Sequence, residues 1–139
     1  MNQLRAIACR RREGGYRLRL DLASEKPIYL QLAEAIEDDI LKGIFEEESQ
    51  VASTTELAVT LRINPATAGK GLNLLVDEGI LYKKRGVGMF VSVGARETIL
   101  RKRKEGFYQS FVVKLLDEAR KLNISVEEII TMIERGKVK

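Results

Sequence analysis

Between residues 66 and 73 the chain reads ATAGKGLN, and three of its polar side chains, Thr67, Lys70 and Asn73, recur at every third position. On a helix that spacing gathers them on one face, with Ala66 beside them. A hydroxyl, an ammonium and an amide among alanine and glycine can hydrogen-bond base edges and phosphates while entering a groove. A second cluster, Lys83, Lys84 and Arg85 beside Gly86, concentrates cations where a polyanion would meet them.

Other chemistries are excluded by residue type. There are no histidines and Cys9 is the only cysteine, which removes Ser/His/Asp and Cys/His nucleophile systems, His-ligated metal sites and intrachain disulfides. Asp38 with Asp39, and Glu46 to Glu48, are the acids that could pair or bind metal. Adjacent positions on a helix do not converge, so these acids are read as solvated surface. RGVG at 85–88 lacks the lysine-serine pair and helix start of a phosphate loop. No catalytic residue, metal ligand or cofactor is expected, and hence no enzyme.

The net charge of +4 is unevenly spread: residues 1–20 carry +5, 21–60 carry −8, 61–104 carry +7 and 105–139 balance. A polyanion should therefore meet the middle of the chain. The 139 residues, 45% apolar, suffice for one compact core or a small domain with an appendage. AIAC near the start is too short for a signal-peptide core, and no apolar run approaches bilayer length. A soluble protein in a reducing, cytoplasmic setting, with no membrane partner, is expected. Residues 1–20 are read as a basic, flexible leader in preference to a nucleic-acid arm.

The elements that would position these residues follow from periodicity and punctuation. After a strand-like YRLRLDL, Pro27 opens a helix with Tyr29, Ala33, Ile36 and Ile40 inward and Gly43 as its stop; FEEES is a loop. Ser53 and Glu56 form a capping box for a short helix that turns Leu57, Ala58 and Leu61 inward and ends near Arg62. Asn64 then caps a third helix with Pro65 as its first residue, where a missing N–H costs nothing. Its apolar stripe is Ala68, Leu72, Leu75, Val76 and Gly79. Gly69 and Gly71 flank the stripe, either to admit a close neighbour or tolerated by packing. ILYKKRGVGMFVSV reads as two strands around a turn, with Leu81, Phe90 and Val91 available to the core. Helix, turn, capped helix and basic hairpin describe a winged helix-turn-helix over 21–94.

Residues 95–139 read as helical. From Glu97 to Leu122 a single helical pattern places Phe107, Tyr108, Phe111, Val112, Leu115, Leu116, Ala119 and Leu122 over about half the circumference, more than one core covers. Ser125 and Glu128 form a second capping box for a last helix with Val126, Ile129, Ile130 and Ile133 on one face and Gly136 past its end. The fold class is mainly α with a small β-hairpin: a winged helix-turn-helix followed by a two-helix C-terminal tail. Tyr82 and Tyr108 are read as core or interface aromatics rather than base-stacking platforms.

PIYLQLAEAI, STTELA, INPATAGKGLNLLVDEGIL, KKRGVGMFV and EARKLNISVEEIITMI, in this order, resemble the bacterial GntR-type transcription regulators, and among them the YtrA-type subfamily. The resemblance covers about residues 21–136. It implies a homodimer that binds double-stranded DNA as two winged half-sites, with the C-terminal helices as dimerisation element and, commonly, control of a transporter operon. It places Ser53 and Thr55 near phosphates, Asn64, Pro65, Ala66, Thr67 and Gly69 in the base- and backbone-contacting segment, and Arg85 with Gly86 at the wing tip. The broader family favours arginine where Thr55, Pro65 and Gly69 stand, and proline-glycine where Glu47 and Glu48 stand, so guanine readout by those positions is not implied.

The expected DNA-contacting set is Ser53, Thr54, Thr55, Asn64, Pro65, Ala66, Thr67, Lys70, Asn73, Lys84, Arg85 and Gly86. The expected dimerisation set is Phe107, Tyr108, Phe111, Val112, Leu115, Leu116, Ala119, Leu122, Ile129, Ile130 and Ile133. The leading function is a sequence-specific transcriptional regulator, a repressor, acting on an inverted-repeat operator. The alternative is an architectural or protein-interaction module without base preference. Any small-molecule effector is left unassigned.

Overall fold

The computed structural model describes residues 20–137. The basic leader and the first part of the strand-like YRLRLDL lie outside them. Leu20 to Leu22 form no strand; instead the Asp21 N–H donates to Gln31 Oε1 and Gln31 Nε2 donates back to the Asp21 carbonyl, tying this segment to the first helix.

Helix α1 (Ile28–Leu41) begins after Pro27, whose φ of −57° is already helical. Leu32, Ala33, Ile36 and Ile40 are buried, whereas Tyr29 is only half-buried. Asp39 and Glu37 are also buried, each with an interacting partner. The reading of Asp39 as solvated surface is thus corrected: a carboxylate can be carried inside when its charge is compensated there.

The loop after α1 sends Phe45 into the core and leads to β1 (Gln50–Val51). Ser53 Oγ then accepts the Glu56 N–H at the start of α2 (Thr54–Leu61), the first half of the expected box. Arg62, left-handed at φ 55°, ends α2. Asn64 Oδ1 accepts the Ala66 N–H, 2.8 Å away, and Pro65 is the first residue of α3 (Pro65–Asp77). Gly79, expected on the stripe of α3, instead lies past its end with φ +76°, a conformation that halts a helix at low cost for glycine.

Strands β2 (Leu81–Lys84) and β3 (Gly88–Val91) form the expected hairpin, with Lys84 opposite Gly88 and Leu81 opposite Val91. Strand β1 joins it to make a three-stranded antiparallel sheet of order β1-β3-β2, with Gln50 opposite Phe90. Leu32, Ile36, Phe45, Leu57, Leu72, Leu75, Ile80, Leu81 and Val91 share one core cluster with Ala95 and Ile99 from the start of α4 (Ala95–Phe107). The winged unit accordingly closes at Ile99 rather than at the expected residue 94, because the first turns of α4 bury their apolar side chains in its core.

The second unit begins at Leu100. The single helix expected from Glu97 to Leu122 is interrupted: α4 passes into a π-helical turn, Tyr108–Val112, before α5 (Val113–Lys121). A π turn takes more residues per turn than an α turn, and it leaves the Phe107 and Phe111 rings 5.2 Å apart. Asn123, at φ 55°, ends α5 while the Ile124 N–H donates to the Ala119 carbonyl, so asparagine serves where glycine is usual. Both halves of the capping box at Ser125 and Glu128 are made at the start of α6 (Val126–Gly136). Gly136 is the last helical residue and not the first beyond it.

The two flanking glycines of α3 differ in what surrounds them. A Cβ on Gly71 would lie 2.9 Å from the Tyr29 carbonyl oxygen and 3.2 Å from Leu32 Cδ2, so α1 and α3 cross too closely there for any side chain. A Cβ on Gly69 would meet Thr54 Cγ2 at 3.6 Å, an ordinary contact. Gly71→Ala should therefore destabilise the fold by about 1–3 kcal/mol, and Gly69→Ala should stabilise it by up to about 1 kcal/mol through helix propensity. Denaturant melts check the pair; equal effects would contradict the close crossing.

Candidate nucleic-acid interface

Helix α3 buries Ala68, Gly71, Leu72 and Leu75 against the core and packs on both α1 and α2. The face left outside carries Asn64, Pro65, Ala66, Lys70 and Asn73, all exposed, with Thr67 half-buried at its edge. The sequence-predicted groove face is thus assembled on a rigid helix with short side chains at its leading turn. An open depression of about 550 Å³ lies beside it, between Ala66, Gly69, Lys70, Asn73 and Asp77 of α3 and Tyr29 of α1.

Lys70 makes its contact with an aromatic ring of α1. Its Nζ sits 4.2 Å from the centroid of the Tyr29 ring. At the preceding helix, Ser53 and Thr55 are exposed, whereas Thr54 is half-buried with its side chain against Gly69. Thr54 therefore packs the α2–α3 crossing, whereas Ser53 and Thr55 remain exposed.

The wing projects Lys83, Lys84, Arg85 and Gly86, all exposed, and Gly86 takes φ +78° to close the turn. Lys84 Nζ lies 4.6 Å from the Phe90 ring centroid. Phe90 is stacked on Tyr82 at 5.8 Å, so the pair forms a platform under the lysine rather than the deep core expected of Phe90. The Tyr82 hydroxyl donates to Glu48 Oε2 at 3.0 Å. Desolvation, that hydrogen bond and the Glu48 charge, in that order, raise the phenol above its ordinary pKa, so it stays a donor.

Sequence reasoning missed the supports of the wing. Gln50 Nε2 donates to the Val87 carbonyl at 3.0 Å, bracing the wing turn from β1, and Glu47 Oε1 accepts the Gly94 N–H at 2.8 Å. The acidic loop thereby anchors the base of the basic hairpin. Arg62, exposed at the turn between α2 and α3, is a further cation outside the expected set; its position in a turn was the signal available.

In the second unit, Phe107, Tyr108, Phe111, Leu115, Leu122, Ile130 and Ile133 are exposed, Phe111 by 64% and Leu122 by 61%. Val112 and Leu116 are half-buried. Ala119 and Ile129, expected in a dimer contact, are already buried in the single chain and are not available to a partner. No described helix is long and apolar enough to cross a membrane.

The profile of the bacterial regulatory proteins of the gntR family matches residues 28–91, the span from α1 through the last strand of the wing. A GntR-family protein from Bacteroides thetaiotaomicron superposes with a TM-score of 0.64 and 39% identity, over 78% of this chain and 94% of that one. The chain belongs to the GntR family. It is a DNA-binding transcriptional regulator of that family, which is one of regulators and not of enzymes. Among curated relatives, the HTH-type transcriptional repressor YtrA of Bacillus subtilis is 29% identical over 126 residues, 86% of this chain and 97% of YtrA. The structure of BusR of S. agalactiae in complex with its promoter DNA resembles this GntR-family chain with a TM-score of 0.51 and 28% identity, covering 76% of this chain and 53% of BusR.

Proposed function

We propose that this GntR-family protein is a homodimeric repressor that reads an inverted-repeat operator with α3 in the major groove and the wing on the flanking backbone. The observation that carries this reading is the outer face of α3: short, polar and cationic on a helix whose other side is locked into the core. Lys84, Arg85 and Gly86 at the wing and Ser53 and Thr55 at the start of α2 supply phosphate contacts that set register. Thr67, Lys70 and Asn73 meet base edges. The exposed apolar side chains after Leu100 form the dimer contact, and residues 100–139 serve as the dimerisation region.

Repression is supported by the likeness to YtrA over nearly its full length; a cytoplasmic setting and control of a transporter operon belong to the same proposal. The test is competition between a duplex recovered by selection and its scrambled counterpart at several salt concentrations. Affinity should fall steeply with salt, and the selected duplex should win. Binding without base preference would favour the architectural reading.

Thr67 offers a finer check, since its hydroxyl and methyl can contact a base edge or a thymine methyl. Thr67→Ala should relax the preference at one half-site position more than it lowers general affinity. A lowered melting temperature with the preference intact would instead assign Thr67 to the start of the helix.

A further inference from the structure

Lys70 is the one cation of α3, and the structure gives its head group a defined place. The ammonium lies over the Tyr29 ring, 4.2 Å from the centroid. Tyr29 is itself placed at a close crossing of α1 and α3, where its own carbonyl oxygen would stand 2.9 Å from a Cβ on Gly71. The ring is therefore carried by backbone that has little room to move.

We infer that Tyr29 is a positioning residue for DNA binding, holding the Lys70 ammonium on the outward face of α3 so that DNA meets a cation already placed. The inference rests on the reading that α3 enters the DNA.

A lysine has four side-chain torsions to restrict before its charge can serve one contact, and that loss weakens binding if DNA must impose it. The electron-rich ring face attracts the ammonium electrostatically and restricts those torsions in the free protein. One side of the ammonium faces the ring; the exposed remainder keeps N–H donors for DNA oxygens. Ala66 and Gly69 leave the depression beside Tyr29 and Lys70 open, so an approaching strand is not obstructed by a larger side chain. Lys84 on the Phe90 ring repeats the arrangement at the wing.

The test uses the full chain and a duplex recovered from a random pool. Tyr29→Leu should weaken binding about threefold to fivefold for each protomer engaged, and Tyr29→Phe, which keeps the ring, should bind as the parent does. In a Lys70→Ala background, Tyr29→Leu should have no further effect, which a merely structural role for Tyr29 would not reproduce. Should Tyr29→Leu melt below the working temperature, Tyr29→Met carries the same comparison. Unchanged or tighter binding by the ring-less variant, or an equal loss with and without Lys70, overturns the inference while parental DNA binding stands. A parent protein that selects no duplex overturns the underlying reading and the inference with it.

Discussion

Phe111→Glu combined with Leu115→Glu should turn the protein into a folded monomer and lower operator affinity by about a hundredfold or more. Both side chains stand exposed in the single chain, 64% and 45%, next to Phe107, whose ring contacts that of Phe111. In the proposed dimer they are desolvated, and an unpaired carboxylate left buried there costs several kcal/mol, about 3–5 when a buried pair is broken. The monomer keeps its winged unit, since the core of that unit ends at Ile99. What is lost is the linkage of two half-sites in one particle, which multiplies affinity by about 10²–10⁴ without any new contact. Sedimentation, circular dichroism and DNA titration of this variant check the three statements. A variant that still sediments as a dimer would show that the exposed apolar face does not join the two copies.

Removing Lys70 and Arg85 together should leave the fold intact and weaken DNA binding by about a hundredfold. Both residues are exposed and neither is part of the core. In the proposed dimer each occurs twice, so as many as four charge contacts disappear. For every one that reaches phosphate, the slope of log affinity against log salt should fall by about 1. Arg85, at the wing turn, should act alike on all sequences; Lys70, on the helix face, should also alter base preference. An unchanged affinity and slope for the double variant would remove α3 and the wing from the interface.

The parts of this molecule that were legible in sequence are those built from neighbours in the chain. Asn64, Ser53 and Ser125 each satisfy N–H groups two or three residues on, so cap, helix start and outward face could be read together. Gly71 was ambiguous because its reason, the Tyr29 carbonyl, lies 42 residues away in sequence. The same holds for β1, too short at two residues to show alternation, and for Phe45, whose loop gave no periodicity. Lys70 was legible as an exposed cation of α3, but the ring beneath it was not. The π turn at Tyr108–Val112 has no glycine or proline within it, and Gly106 just before it leaves the helical pattern of its neighbours unchanged. Asp39 looked like surface because composition carries no information about which carboxylate finds a partner inside.

The measurement that bears most directly on the proposed function is selection of bound duplexes from a random DNA pool by the intact protein, followed by footprinting of the enriched sequence. A single enriched motif is expected, an inverted repeat with half-site centres about 34 Å or a multiple of it apart, together with protection of both halves at one protein concentration. A pool that remains without a shared motif, although DNA is bound, would contradict the proposed function, and so would a lone half-site protected without its mate.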